Sequence, residues 1–149
     1  MFENIKKIAD EIKTGLEDAK WEAIDNNLST MADANVYRIE RGQNVEGKAL
    51  GYYKSEPYAR LKKSMGSASP FGTYDFKFSG NFLSGIFAKR NNKTIIFGST
   101  DEKTQHLESL AKDNGGTLFG LQEEQRTDIA NGQIIPEIWD WVKTKMQRL

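Results

Sequence analysis

The chain's 149 residues are enough for one domain with a sizeable core. Acidic and basic residues balance at 21 each, which argues against a surface that attracts nucleic-acid phosphates as a whole. The absence of cysteine excludes disulfides, thiolate metal sites and a cysteine nucleophile. No apolar run reaches the length of a membrane span, and the N-terminus lacks the apolar segment of a signal peptide, so we expect synthesis in a cytoplasm.

The N-terminal region, residues 1–32, predicts one amphipathic helix. Its apolar residues recur at spacings of three and four, namely Ile5, Ile8, Ile12, Leu16 and Ala19. The pattern is typical of a helix packed on the domain core, and a helix that docks on a neighbouring subunit is the alternative.

Residues 41–73 predict a loop, a short helix and a second loop. Three glycines interrupt residues 41–56, and Pro57 suits the first turn of a helix. Tyr58, Leu61 and Met65 share one face of that helix, which Gly66 ends.

Residues 74–98 predict the strands of a small sheet. Tyr74, Phe76 and Phe78 alternate with polar residues, as in a half-buried strand. The apolar runs 82–88 and 94–98 flank the sequence Arg-Asn-Asn-Lys, in which asparagine tolerates the positive φ of a tight turn. These two runs therefore predict an antiparallel hairpin.

The C-terminal third predicts three helices. Ser99 and Glu102 have the spacing of a capping box for a helix over residues 100–113, and Asn114-Gly115-Gly116 ends it. Residues 122–149 predict two more helices, separated at Asn131-Gly132, with the second beginning near Pro136. One face of the last helix carries a stripe of apolar residues: Ile135, Ile138, Val142, Met146 and Leu149.

Two tryptophans lie on the last predicted helix. Trp139 is near the apolar stripe, which predicts a place in the core. Trp141 is well off the stripe, which fits either a half-exposed anchor for a partner or a broader buried face. The whole pattern predicts one α+β domain over residues 1–149, a small antiparallel sheet with a central hairpin packed by N-terminal and C-terminal helices.

Residues for chemistry are sparse in this sequence. His106 is the single histidine, and the chain holds no nucleophile elbow, phosphate-binding loop or dinucleotide fingerprint. We therefore predict no enzyme, no catalytic residue, no metal site and no cofactor, with a carboxylate-only hydrolase as a minor alternative. A nucleic-acid-binding module is the main alternative, using Tyr74, Phe76 and Phe78 for stacking and a local basic set: Arg60, Lys62, Lys63, Lys77, Lys89, Arg90 and Lys93.

Several short motifs occur in a fixed order between residues 37 and 125. They are Gly47-Lys48-Ala49-Leu50, Tyr58-Ala59-Arg60-Leu61-Lys62, Phe78-Ser79-Gly80-Asn81-Phe82, Ser99-Thr100-Asp101-Glu102-Lys103 followed by Leu107, and Leu118-Phe119-Gly120-Leu121. The ordered series resembles the virion-morphogenesis or tail-completion proteins of tailed phages, which lie at the head–tail neck. One departure is that Ser79-Gly80 stands where that family most often has Thr-Gly.

The resemblance implies a structural virion protein that forms a closed homo-oligomeric ring around the DNA duct. The implied partners are copies of the chain, portal or adaptor proteins and tail-tube or other neck proteins, with DNA passing through the lumen and no membrane involved. A ring needs two different faces on each subunit, and loops that become ordered on assembly suit that need. We predict interface residues at Gly47, Leu50, Tyr52, Tyr53, Tyr58, Phe71, Arg90 and Trp141.

Overall fold

The computed structural model of the protein describes residues 1–149 and has seven α-helices and one β-hairpin. The elements are α1 (Phe2–Asn26), α2 (Leu28–Glu40), α3 (Glu56–Ser64), α4 (Asn81–Ser84), β1 (Ile86–Asn91), β2 (Thr94–Ser99), α5 (Thr104–Asp113), α6 (Glu123–Ile129) and α7 (Ile135–Met146). A π-helical turn (Ala130–Ile134) joins α6 to α7. The predicted α+β class and the packing of the hairpin by N-terminal and C-terminal helices are confirmed.

The hairpin forms where the sequence predicts it. Its register runs from Ile86 opposite Ser99 to Asn91 opposite Thr94. The turn between the strands has Asn92 at a φ of 55°, a left-handed conformation that asparagine adopts more readily than most residues. The first strand begins later than predicted, because Phe82 lies in the short helix α4 and is buried there.

The core lies where α2, β1, α4 and α5 meet. Its ten buried residues are Ala32, Ile39, Leu50, Phe76, Phe82, Leu83, Ile86, Leu107, Ala111 and Leu118. Leu107 and Ala111 form the buried face of α5. Burial of this set is the main source of stability, because each fully buried aliphatic or phenyl side chain contributes about 1.5–3 kcal/mol.

The single N-terminal helix predicted over residues 1–32 is wrong, because the chain breaks at Asn27. Asn27 has a φ of −115°, and its buried side-chain amide donates to the Ala23 carbonyl at 2.8 Å and to Glu137 Oε1 at 2.9 Å. A short amide side chain competes for backbone hydrogen bonds in this way. Because of this break, α2 contributes residues to the core cluster, whereas α1 contributes none.

The predicted strand at residues 74–78 is also wrong. The segment is irregular, and Asp75 and Phe76 are both buried although an alternating strand would put them on opposite faces. Phe76 has a φ of 51°, which reverses the local direction of its side chain. Of the three aromatic residues only Phe78 is exposed, so the aromatic alternation does not mark a sheet face.

The predicted capping box at Ser99 does not form. The Ser99 hydroxyl donates to the Phe82 carbonyl at 2.8 Å and accepts the Asp101 N–H at 3.3 Å, and α5 begins only at Thr104. Ser99 therefore ties the end of the hairpin to α4 instead of opening a helix. The predicted end of α5 is confirmed, with Gly115 at a φ of 82° just after it.

The predicted break at Asn131-Gly132 is replaced by the π-helical turn, which carries the chain from α6 into α7 without a loop. A π turn absorbs one extra residue per turn, so glycine is tolerated without ending the helix. Helix α7 then runs antiparallel to α1, with Glu137 near Asn26 at one end and Arg148 bonded to Glu11 at 2.7 Å at the other. None of the α7 residues is fully buried.

Of the two tryptophans of α7, Trp139 is outside its predicted environment and Trp141 is within the range that its position on the helix predicted. Trp139, predicted to be in the core, is 55% exposed. Trp141 is half-buried against α1, and a methyl group added at Gly15 would lie 2.9 Å from its Cζ2. Gly15 therefore lets the indole ring approach the helix backbone.

We expect Trp141→Ala to lower the free energy of unfolding by about 1–3 kcal/mol, because it removes an aromatic contact between α7 and α1. Trp139→Ala is the matched control and should change stability by no more than about 0.5 kcal/mol. Urea unfolding measured by circular dichroism checks both variants. Equal stability of the two variants would contradict the packing role given to Trp141.

Candidate interaction surface

Helix α3 presents to solvent the apolar face that its residue spacing predicted. Tyr58, Leu61 and Met65 are 38%, 52% and 71% exposed. The residues that face the interior are instead Ala59 and Lys62, at 4% and 7% exposure. We call the three exposed residues the α3 stripe. Their spacing of three and four makes a continuous apolar ridge along the helix.

Lys62 faces inward because Asp75 lies opposite it. The Lys62 ammonium is 2.9 Å from Asp75 Oδ1, and it also donates to the Lys77 carbonyl. The carboxylate accepts two further hydroxyl bonds, from Tyr53 at 3.1 Å and from Ser67 at 2.8 Å. Because every polar atom of the pair has a partner, the charges are kept out of water without being left uncompensated.

This environment shifts the pKa of Asp75 and that of Tyr53, whose hydroxyl donates to the Asp75 carboxylate. Burial acts to raise the pKa of Asp75, but the hydrogen bonds from Lys62, Lys77 and Ser67 outweigh it, so the pKa lies below its ordinary value. Burial and the neighbouring negative charge of Asp75 raise the pKa of Tyr53, which keeps the phenol protonated as a hydrogen-bond donor.

Helix α3 and the loop before it are together called the α3 lobe. An unbroken series of aromatic contacts connects this lobe to the core. The rings of Tyr53 and Tyr58 are 4.9 Å apart, and those of Tyr53 and Tyr74 are 5.0 Å apart. Tyr74 then stacks on Phe76 at 5.7 Å, and Phe76 contacts Phe82 at 6.2 Å. Edge-to-face and stacked pairs of this kind each add about 0.5–1.5 kcal/mol beyond their burial. The stripe therefore lies on a firmly anchored part of the molecule.

The loop before α3 also depends on close contact with this aromatic series. A methyl group at Gly51 would lie 2.5 Å from Tyr74 Cε2, and the φ of Gly51 is 151°. The Gly51 carbonyl also accepts the Tyr74 N–H at 2.9 Å. Only glycine fits a position that combines this conformation with so short an approach.

The predicted interface residues fall into three groups. Exposed side chains occur at Tyr52, Tyr58 and Phe71, and Gly47 lies in an exposed turn. Leu50 is different, because it is 0% exposed and belongs to the core, so its prediction as an interface residue is wrong. The physical reason is that the chain turns at residues 42–51 and folds Leu50 inward, where its N–H bonds to the Gly42 carbonyl at 2.8 Å.

The other three predicted residues make contacts within the chain. Tyr53 is half-buried and bonded to Asp75, and Trp141 packs on Gly15. Arg90 forms an ion pair with Asp25 at 3.0 Å and lies over a Trp21 ring at 5.3 Å. These contacts join loops and helices of the same molecule, and the residues are not brought together into one surface.

Sequence reasoning missed Leu61 and Met65 as surface residues. The only local signal is Lys62 beside Leu61, since a charged residue and an apolar residue one position apart cannot face the same side of a helix. That signal is overruled in most helices because the apolar face is the buried one. Here the carboxylate of Asp75, thirteen positions further along the chain, reverses the choice.

A buried arginine connects α2 to two loops of the chain. Arg38 is 1% exposed, and its guanidinium donates to Asn35 Oδ1, to the Leu118 carbonyl and to the Gln43 carbonyl, each at 2.8 Å. Burial lowers the pKa of Arg38 to about 10, so the group remains charged at neutral pH. Through these bonds one side chain holds two loops that are distant in sequence.

The residues proposed for nucleic-acid binding do not share a face. Phe76 is buried, Lys62 is held by Asp75, and Arg60 pairs with Glu56 at 2.6 Å. Phe78 is exposed, with the ammonium of Lys103 5.2 Å from its ring centre. The nucleic-acid alternative depended on a row of aromatic residues that stack on bases, and only one of the three rings, that of Phe78, is exposed.

A largely apolar cleft of about 410 Å³ lies between β2, the α1–α2 junction and the π-helical turn. No group of three or more histidine, aspartate or glutamate side chains is placed to hold a metal ion. His106 is exposed on α5. None of the helices combines the length and the apolar character that crossing a membrane requires.

Comparison with known proteins gives no relative: the chain matches no protein-family model, no curated protein and no solved structure.

Proposed function

We propose that this chain is a structural protein of a tailed-phage virion that assembles into a homo-oligomeric ring at the head–tail neck. In this proposal the chain is made in the bacterial cytoplasm and acts in the virion without enzymatic activity. The observation that supports assembly is the α3 stripe, an apolar ridge that faces solvent on a firmly anchored lobe.

The α3 stripe has the form of a helical docking surface. Anchors at positions i, i+3 and i+7 are the pattern by which an amphipathic helix fits a groove on a partner. Single exposed apolar residues are common, but a row that includes Tyr58, Leu61 and Met65 is a contiguous patch, and such patches mark contact sites. The ion pair of Lys62 with Asp75 fixes the rotation of the helix, so the stripe cannot turn inward.

The ring and its place in the virion rest on the resemblance described for residues 37–125. A subunit of a closed ring contacts its two neighbours through different patches, and the α3 stripe supplies one of them. The proposed partners are further copies, a portal or adaptor protein on the head side and tail-tube or other neck proteins on the other. DNA passes through the lumen without specific contacts.

We expect the double variant Leu61→Lys with Met65→Lys to weaken assembly by about 30-fold or more, the effect of losing a hot spot of about 2 kcal/mol. Its melting temperature should stay close to that of the wild type, because both side chains are exposed. Mass photometry and negative-stain imaging of the protein, alone and mixed with its portal ring, measure the assembly.

Lys63→Ser is the matched control, because Lys63 is an exposed residue of the same helix outside the stripe. This variant should assemble like the wild type. A wild-type protein that forms no ring under either condition would overturn the proposed function. A double variant that assembles normally would show that the ring uses another surface.

A further inference from the structure

Strand β2 has an outer edge with unpaired backbone groups. The Thr100 N–H donates to the Gly85 carbonyl at 3.1 Å, which fixes the alternation of hydrogen bonds along the hairpin. The N–H and C=O groups of Ile95 and Phe97 consequently point away from β1. No other backbone segment bonds to either residue.

The two strands of the hairpin differ in how their edges are protected. Strand β1 carries Lys89 and Arg90, and charged side chains of this kind discourage pairing with another strand. Strand β2 reads Thr-Ile-Ile-Phe-Gly-Ser and contains no charge, no proline and no bulge. An uncharged edge rich in isoleucine and phenylalanine is a template for an added strand.

The apolar cleft adjoins the same edge. Ile95 and Phe97 line it together with residues outside the hairpin, of which only Arg126 is charged: Ile24, Met31, Leu121, Arg126, Ile129 and Ile134. A strand added beside β2 would place the side chains of its inner face over this cleft, because side chains alternate between the two faces of a sheet. The edge and the cleft therefore require the same occupant, an extended strand whose inner-face residues are apolar.

We propose that the edge of β2 pairs with the β2 edge of a second copy of this chain, antiparallel across a two-fold axis. The chain itself meets the requirement, since β2 offers Ile95 and Phe97 on its inner face and has no charge to repel its own copy. With the axis at Ile96, Ile95 exchanges backbone hydrogen bonds with the partner's Phe97. The corresponding pairing of β1, with the axis at Lys89, would place Lys89 opposite its own copy, which like charges oppose.

This pairing concerns the free protein and does not depend on the proposed function. A two-fold contact is closed and by itself builds a dimer, whereas a ring uses two different patches. The α3 stripe plays no part in it. Failure of the dimer and failure of the ring are therefore separate results, measured with different variants.

The test compares Ile95→Pro with Ala88→Pro. Each change removes one backbone N–H that points away from the hairpin, the first on the β2 edge and the second on the β1 edge, so the bonds between β1 and β2 are kept. Light scattering coupled to size exclusion gives the mass of each protein at roughly 100 µM, where a Kd of a few micromolar leaves mostly dimer. We expect a dimer for the wild type and for Ala88→Pro, and a monomer for Ile95→Pro.

A wild-type monomer would overturn the proposal, as would two variants that both remain dimeric. Loss of the dimer in both variants would also overturn it, because unlike edges would then be paired. Amide hydrogen exchange on the wild type decides the matter if a proline variant fails to fold. Protection of the Ile95 and Phe97 amides should rise with protein concentration while that of Ala88 does not, and exchange independent of concentration at all three contradicts the pairing.

Discussion

Replacing Asp75 by alanine is expected to lower the free energy of unfolding by about 3–5 kcal/mol, because the Lys62 ammonium would stay buried without its counter-ion. The loss also leaves the Tyr53 and Ser67 hydroxyls without their acceptor. For a chain of this length the corresponding fall in melting temperature is roughly 6–20 °C. Thermal and urea unfolding followed by circular dichroism measure it.

The matched control removes an ion pair of the same helix that lies in solvent. Glu56 and Arg60 are 2.6 Å apart, but about two thirds of each side chain is exposed. Glu56→Ala should cost no more than about 1 kcal/mol, since exposed pairs contribute little. A second variant, Asp75→Ala with Lys62→Met, should recover part of the stability because it removes the uncompensated charge. No difference between Asp75→Ala and Glu56→Ala would refute the role given to the buried pair.

The same pair makes stability depend on pH in a predictable direction. The pKa of Asp75 is lower in the folded protein than in the unfolded chain, so its ionised form favours folding. This contribution is fully present above the unfolded value of about 4 and is lost as the pH falls through the folded value. The stability difference between the wild type and Asp75→Ala should therefore narrow in acid, as urea unfolding across that pH range will show.

Replacing Arg38 by methionine is expected to cost at least about 2 kcal/mol, since the buried carbonyls of Gln43 and Leu118 would be left without a donor at about 1–3 kcal/mol each. Methionine fills much of the same space but donates no hydrogen bond. The carbonyls of Gln43 and Leu118 and the side-chain oxygen of Asn35 would each lose a bond of 2.8 Å. Urea unfolding gives the total loss, and hydrogen exchange over residues 117–121 shows whether that segment opens first.

Arg41→Met is the matched control, because Arg41 lies three residues further along the chain and is partly exposed. Its guanidinium pairs with Glu40 at 3.1 Å and lies 3.4 Å from the Tyr37 ring centre. Such surface contacts contribute up to about 1 kcal/mol each. If the two arginine variants unfold at the same urea concentration, the buried guanidinium is not what joins the two loops.

Much of the candidate surface was predictable in composition but not in orientation. Tyr52, Tyr58 and Phe71 were predicted as interface residues. They lie in α3 and in the loops around it, and all three are exposed. Leu50 occurs in the same region and is buried, because the turn that places it inward is made by backbone bonds. No local property of Leu50 distinguishes it from the exposed residues around it.

The sequence by itself determined the elements that depend on neighbouring residues. The Asn92 turn between two apolar runs produces the hairpin, Pro57 in the first turn and the residues before Gly66 define α3, and Gly115 ends α5. These features follow from dihedral preferences and helix-end chemistry, which act over a few residues. They were sufficient for the fold class.

Only the tertiary structure decided which side of each element is buried. Asp75 turns Lys62 inward and so brings the apolar face of α3 to the surface. Ser99 bonds to Phe82 in place of capping a helix, and Asn27 leaves the helical pattern to bond with Glu137. Each choice depends on a hydrogen bond or ion pair between residues far apart in sequence, and such a bond outweighs local preferences of a few tenths of a kcal/mol to about 1 kcal/mol.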